Sequence, residues 1–151
     1  MTLFPASEAK ALDDTCVSLD LETTGLAPES DEIIEIGAVK FRGDQGLEEY
    51  HTLVNPYRPI PEEVQRLTGI RQRDVDGAPA FGAVAGEFLA FAGSLPVVGH
   101  SVGFDLAFLS QRGVRLAGPA YDTLDLASFL LPSTSDYSLG GLAKALSVAH
   151  T

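Results

Sequence analysis

Residues 16–21 read Cys-Val-Ser-Leu-Asp-Leu, an apolar run that predicts a buried strand. It breaks at Thr23-Thr24-Gly25, followed by Pro28 and polar turn residues. Residues 33–41 form a second β-rich run. Gly43-Asp44-Gln45-Gly46 predicts a turn, and 48–54 a third strand, so the three should form an antiparallel meander. The period then changes. Residues 61–67 predict a short helix with Pro61 in its first turn and Gly69 just past its end. Residues 81–91 place Val84, Phe88 and Phe91 on one helical face. A short strand at 95–98 and a helix at 104–112, stopped by Gly113, come next. A last strand is expected around Tyr121, then a helix at 124–131 ended by Pro132. Ser138 caps a final helix whose inner face carries Leu139, Leu142 and Leu146. Three strands followed by alternating helix and strand predict an α/β domain, a mixed sheet with helices on both faces.

Composition narrows this picture. A chain of 151 residues with 45% hydrophobic content fits one domain with a real core, and no repeat or linker divides it. Cys16, the single cysteine, cannot form an internal disulfide and lies in an apolar run, where it reads as a small buried hydrophobe. No Cys/His spacing suggests a zinc site, and a reducing, cytoplasmic compartment is expected. Residues 1–14 predict a flexible arm without the pattern of a signal peptide, and no apolar run is long enough to span a bilayer. The formal net charge is −11 with only 10 Lys and Arg, which argues against a stand-alone nucleic-acid clamp. Such a domain can act on nucleic acid if bound cations offset its carboxylates, or if another domain holds the polymer.

Candidate chemistry begins with Asp20 and Glu22. Residues two apart on a strand point to the same side, so the carboxylates project together and repel unless a cation sits between them. A hard dication with oxygen ligands, Mg²⁺ or Mn²⁺, is the natural occupant. A third acid, Asp105, opens the helix after Phe104. Taken singly, each has a plainer reading: a polar strand end for Asp20 and Glu22, a helix N-terminal charge for Asp105.

Taken together, the motifs resemble a family. Asp20-Leu21-Glu22-Thr23-Thr24-Gly25 is similar to the first motif of the DnaQ-like exonucleases of the DEDD superfamily. The likeness continues through Ile33-Ile34-Glu35-Ile36-Gly37-Ala38-Val39, Leu67-Thr68-Gly69-Ile70 and Gly99-His100-Ser101-Val102-Gly103-Phe104-Asp105. It ends with Tyr121-Asp122-Thr123-Leu124 and Tyr137-Ser138-Leu139, in order. The resemblance implies a ribonuclease H-like, five-stranded mixed sheet and a 3′→5′ exonuclease that releases nucleoside 5′-monophosphates by two-metal-ion catalysis. It makes Asp20, Glu22 and Asp105 ligands of two Mg²⁺ or Mn²⁺ ions. It also sets Thr23, Leu26 and Phe104 against the terminal nucleotide and aligns Glu63 and Thr68 with positions that reach it. Helix surface for Glu63 and a cap for Thr68 are equally open readings. Where the family commonly carries Asn after the motif histidine, this chain has Ser101.

The same resemblance calls for a histidine general base followed five residues later by a fourth acid. Both are expected beyond Thr151, so 15–151 reads as an exonuclease domain cut before its last motif and weakly active at best. His150 then reads as a surface residue, His51 as an ordinary strand residue, and His100 as structural. The implied partners are a single-stranded DNA 3′ end and a polymerase or helicase. The domain would be either an epsilon-type proofreading subunit or the N-terminal exonuclease domain of a larger chain. An RNA 3′-end trimming enzyme and a non-catalytic, partner-binding scaffold are the alternatives.

Overall fold

The computed structural model describes residues 15–149; the expected arm at 1–14 and His150 lie outside them. Strand β1 (Cys16–Thr23) pairs antiparallel with β2 (Ile33–Arg42), which pairs antiparallel with β3 (Gln45–Leu53). This is the expected meander. Two short strands, β4 (Val97–Gly99) and β5 (Ala120–Asp122), add in parallel on the other side of β1. The sheet order is therefore β3-β2-β1-β4-β5, a mixed five-stranded sheet with β1 at its centre.

Alternation along β1 decides which face is core. Val17, Leu19 and Leu21 are buried together with Ile36, Ala38 and Val97. Helices α3 (Phe81–Ala92) and α4 (Val102–Gln111) cover that face, sending Val84, Phe88, Val102, Phe108 and Leu109 into it. Phe88 and Phe91 both stack against Tyr50 of β3, with ring centroids 5.7 and 5.5 Å away. A smaller apolar cluster of Ile34, Ile60, Ile70 and Val75 anchors α1 (Glu62–Thr68) and α2 (Gln72–Val75) beside the sheet. Helices α5 (Thr123–Leu130) and α6 (Leu139–Ala145) follow β5.

Several boundaries differ from the sequence expectation. Gly43, at φ 60°, reverses the chain in two residues, so Arg42 already pairs with Gln45 and β3 starts three residues early. Strand β4 begins after Pro96, which has no N–H for the ladder; its carbonyl accepts instead from Val17 N–H at 2.8 Å. Helix α2 was not foreseen, being a single turn with one buried residue, Val75. The inner face expected for α6 is also narrower than its pattern suggests. Only Leu142 is buried, while Leu139 and Leu146 are exposed among the described residues.

Candidate active site at the end of the central strand

The face of β1 opposite the core carries Asp20 and Glu22, as period two requires. Asp20 stands opposite Gly37 and Glu22 opposite Glu35 on β2. Strand β4 pairs with β1 only at Val17 and Ser18, so the far half of β1 has no strand on that side. The N–H of Leu21 points into this gap and is satisfied by Asp105, whose Oδ1 accepts it at 2.8 Å. One hydrogen bond thus fixes α4 against β1 and brings the third acid to the other two.

All three carboxyls are held above the ordinary carboxylate range. Burial raises Asp20, and the charge of Glu35 adds to it. Burial raises Glu22, followed by the charges of Asp20 and Glu35. Asp105, only 4% exposed, is pushed up to about 7 by burial and by the charges of Asp20 and Glu22, against the lowering effect of the Leu21 N–H. Among the described residues none of the four salt bridges involves these acids. Three mutually repelling carboxylates without a cationic side chain suit a hard dication. Their side chains do not close around one point, for among the described residues no three His, Cys, Asp or Glu side chains form a metal-holding group. The donor chemistry fits such an ion, and rotation of the carboxylates is what closure around it would require.

Beside the acids lies a cavity of about 500 Å³. Thr23, Leu26, Glu63, Thr68 and Phe104, the five residues singled out for substrate contact, all line it together with Glu22. Thr23 is nearly buried, and its hydroxyl donates to Gly25 O at 2.6 Å, shaping the loop that carries Leu26. The hydroxyl of Thr68 donates to Val64 O and accepts from Ile70 N–H, so it also closes the end of α1. Leu26 and Leu67 are each 84% exposed on lining positions, an apolar pair open to solvent. Leu67 lies within the Leu67-Thr68-Gly69-Ile70 motif near the end of α1, where an exposed leucine has no signature of its own in the sequence.

The two described histidines do not line this cavity. His100 Nδ1 lies 3.0 Å from Thr123 Oγ1, and His51 Nε2 lies 2.5 Å from Glu35 Oε1. Ser101 sits in the left-handed region at φ 57° and ψ 41°, a conformation asparagine tolerates better than serine. On the carboxylate face a second cavity of about 510 Å³ runs beside Asp20 and is bordered by His51, His100 and Leu139. Glu35, inside a motif but unassigned, is the other residue that sequence reasoning missed.

A nucleotide-sized cavity opening on paired acids at the end of a central strand defines a phosphodiester-cleaving class of domain. The chain belongs to the RNase T exonuclease family, whose sequence model matches residues 17–151. It is similar to the PolC-type DNA polymerase III of Thermotoga maritima, 43% identical over 139 residues, which are 89% of this chain and 10% of that protein. It is also similar to the DNA polymerase III subunit epsilon of Aquifex aeolicus, 39% identical over 138 residues, covering 88% of this chain and 68% of that one. Among solved structures, exonuclease X in complex with 5′ overhanging duplex DNA superposes with a TM-score of 0.73 at 26% identity, covering 90% and 75%. This chain is therefore an exonuclease domain with the mixed-sheet, DnaQ-like fold, a family that depends on divalent metal. It spans 10% of the length of the PolC-type relatives it matches. No helix among the described residues is long and apolar enough to cross a membrane.

Proposed function

We propose that the domain removes nucleotides from the 3′ end of single-stranded DNA in proofreading or repair, in the cytoplasm, as part of or bound to a polymerase or helicase. The observation that carries this reading is Glu22, which belongs both to the acidic cluster and to the wall of the nucleotide-sized cavity. Asp20, Glu22 and Asp105 would hold two Mg²⁺ or Mn²⁺ ions, which when bound supply an activated water and stabilise the leaving 3′-oxygen. The chain's own residues do the placing. Leu26 and Leu67 offer apolar faces to the terminal base, Thr23 and Phe104 line the cavity next to them, and Glu63 and Thr68 border it from α1. Water adds to the scissile phosphorus, the bond to the upstream 3′-oxygen breaks, and that oxygen takes up the proton. Contacts to sugar, phosphate and one stacked base confer little sequence preference.

The test is Mn²⁺-dependent digestion of a 5′-labelled single-stranded DNA and its RNA counterpart. It compares this chain, a C-terminally extended form, and Asp20→Ala in the extended form. A one-nucleotide DNA ladder that is lost with Asp20→Ala is expected, strongest in the extended form. Preference for the RNA would replace DNA as the substrate, and digestion that survives Asp20→Ala would refute the site.

A further inference from the structure

Glu35 stands across the β1–β2 register from Glu22, while Gly37, two residues on, stands opposite both Asp20 and His51. Directly opposed residues share a face, so Asp20, Glu22, Glu35 and His51 all rise from the open side of the sheet. Gly37 puts no side chain between them. Two carboxylates facing each other across a strand pair repel, and the relaxed outcome would be a Glu35 turned out into water. It is not turned out. Its side chain is 27% exposed, and His51 Nε2 lies 2.5 Å from its Oε1, so the ring N–H donates to the carboxylate and fixes its direction. Held there, its charge acts on both Asp20 and Glu22.

We propose that Glu35, clamped by His51, is a positioning residue of the dication centre, a fourth carboxylate that acts through water carried by the ion and does not ligate it. The inference rests on Asp20 and Glu22 being ion ligands. Mg²⁺ and, to a lesser degree, Mn²⁺ give up water reluctantly, and water left on the ion needs fixed acceptors. A carboxylate anchored by an imidazole, on the same face and one strand away, is such an acceptor. An ordinary surface pair would be worth little and would have no connection to ion binding.

The experiment is a Mn²⁺ titration of the 151-residue chain, reading free Mn²⁺ by electron paramagnetic resonance, for wild type, Asp20→Asn, Glu35→Gln, Glu35→Asp and His51→Ala. Thermal melts in EDTA run alongside and separate folding from ion binding. Asp20→Asn should abolish binding, and Glu35→Gln should weaken it by about tenfold, the usual effect of removing an outer partner of a metal ligand. His51→Ala should weaken it less, and Glu35→Asp should recover part of the loss. Mn²⁺ affinity unchanged in Glu35→Gln, with binding lost in Asp20→Asn, would overturn the role of Glu35 and leave the metal site standing. Wild-type affinity in Asp20→Asn would remove the site reading itself and this inference with it. Should Glu35→Gln melt out, His51→Ala carries the same comparison, and unchanged affinity there overturns the clamp.

Discussion

Asp105 is a group the metal-free fold tolerates at a cost, and that cost is measurable. Burial pushes its carboxyl up to about 7 in the folded chain, against an ordinary 3.8. Between those pH values the folded state binds more protons than the unfolded one, so stability falls as pH rises from about 4 to about 7 and levels off above. A difference of roughly three pKa units at about 1.4 kcal/mol each sets an upper bound of about 4 kcal/mol. Local relaxation and water penetration lower the real penalty of a buried charge below this bound, to about 2 kcal/mol. Asp105→Asn removes the charge and keeps an oxygen to accept the 2.8 Å bond from Leu21 N–H, although its new amide N–H₂ needs an acceptor and gives back about 1 kcal/mol. The variant should therefore be more stable than wild type by about 1 kcal/mol at pH 8 in EDTA, and equal or less stable at pH 4. Urea unfolding at the two pH values measures this, and comparing the chains at each pH cancels the repulsion spread over the rest of this acidic surface. Adding Mn²⁺ at pH 8 should reverse the order, because only the wild type regains its ion. A stability gap that is the same at pH 4 and pH 8 would refute the reasoning.

Three further outcomes follow from the same geometry. Ser101→Asn or Ser101→Gly should stabilise the chain by about 0.5–1 kcal/mol in urea unfolding, by relieving the left-handed backbone at φ 57°; a loss of stability would mean that the serine side chain is needed there. Leu26→Ala combined with Leu67→Ala in an active form should raise KM for a single-stranded oligonucleotide by about thirtyfold with an unchanged melt, since each removed apolar face is worth about 1 kcal/mol; unchanged KM would take both residues out of substrate binding. Phe88→Ala empties a fully buried site against Tyr50 and should cost about 3–5 kcal/mol, read as a fall in the urea midpoint.

Where the sequence was legible, one physical rule acted without competition. Period two placed Asp20 and Glu22 on one face, and the same rule buried Val17, Leu19 and Leu21 on the other. Period 3.6 found α3 through Val84 and Phe88. Legibility failed where two effects met. Residues 43–46 contain enough turn formers for a long loop, yet a single positive φ at Gly43 closes the hairpin, and Gln45 and Gly46 become strand. Leu139 and Leu146 keep helical spacing with Leu142, but spacing cannot say what covers a face, and only Leu142 finds cover among the described residues. In the site, the motif acids could be read because their spacing carries their chemistry. The placement of Glu35 and Leu67 could not, since it comes from a register partner on β1 and from a cavity wall shared by distant segments.

The acidity that first argued against nucleic-acid binding takes a different meaning once the charges are located. Asp20, Glu22 and Asp105 neighbour one another where the end of β1 meets α4, with Glu35 facing Glu22 across the strand pair and, among the described residues, no Lys or Arg bridging to the three motif acids. Ordinary fold stability would favour an arginine at such a place, since each of these acids is held in the fold against burial and its neighbours' charge. An arginine there would satisfy the carboxylates permanently and leave nothing for a dication to neutralise. With an ion bound there, as proposed, unpaired acids would make the local charge balance depend on it. They would also make approach of a polyanionic strand depend on that ion, because a bare carboxylate cluster repels phosphate and a loaded one attracts it. On that proposal, the same unpaired charge that weakens the metal-free fold would couple substrate access to metal binding.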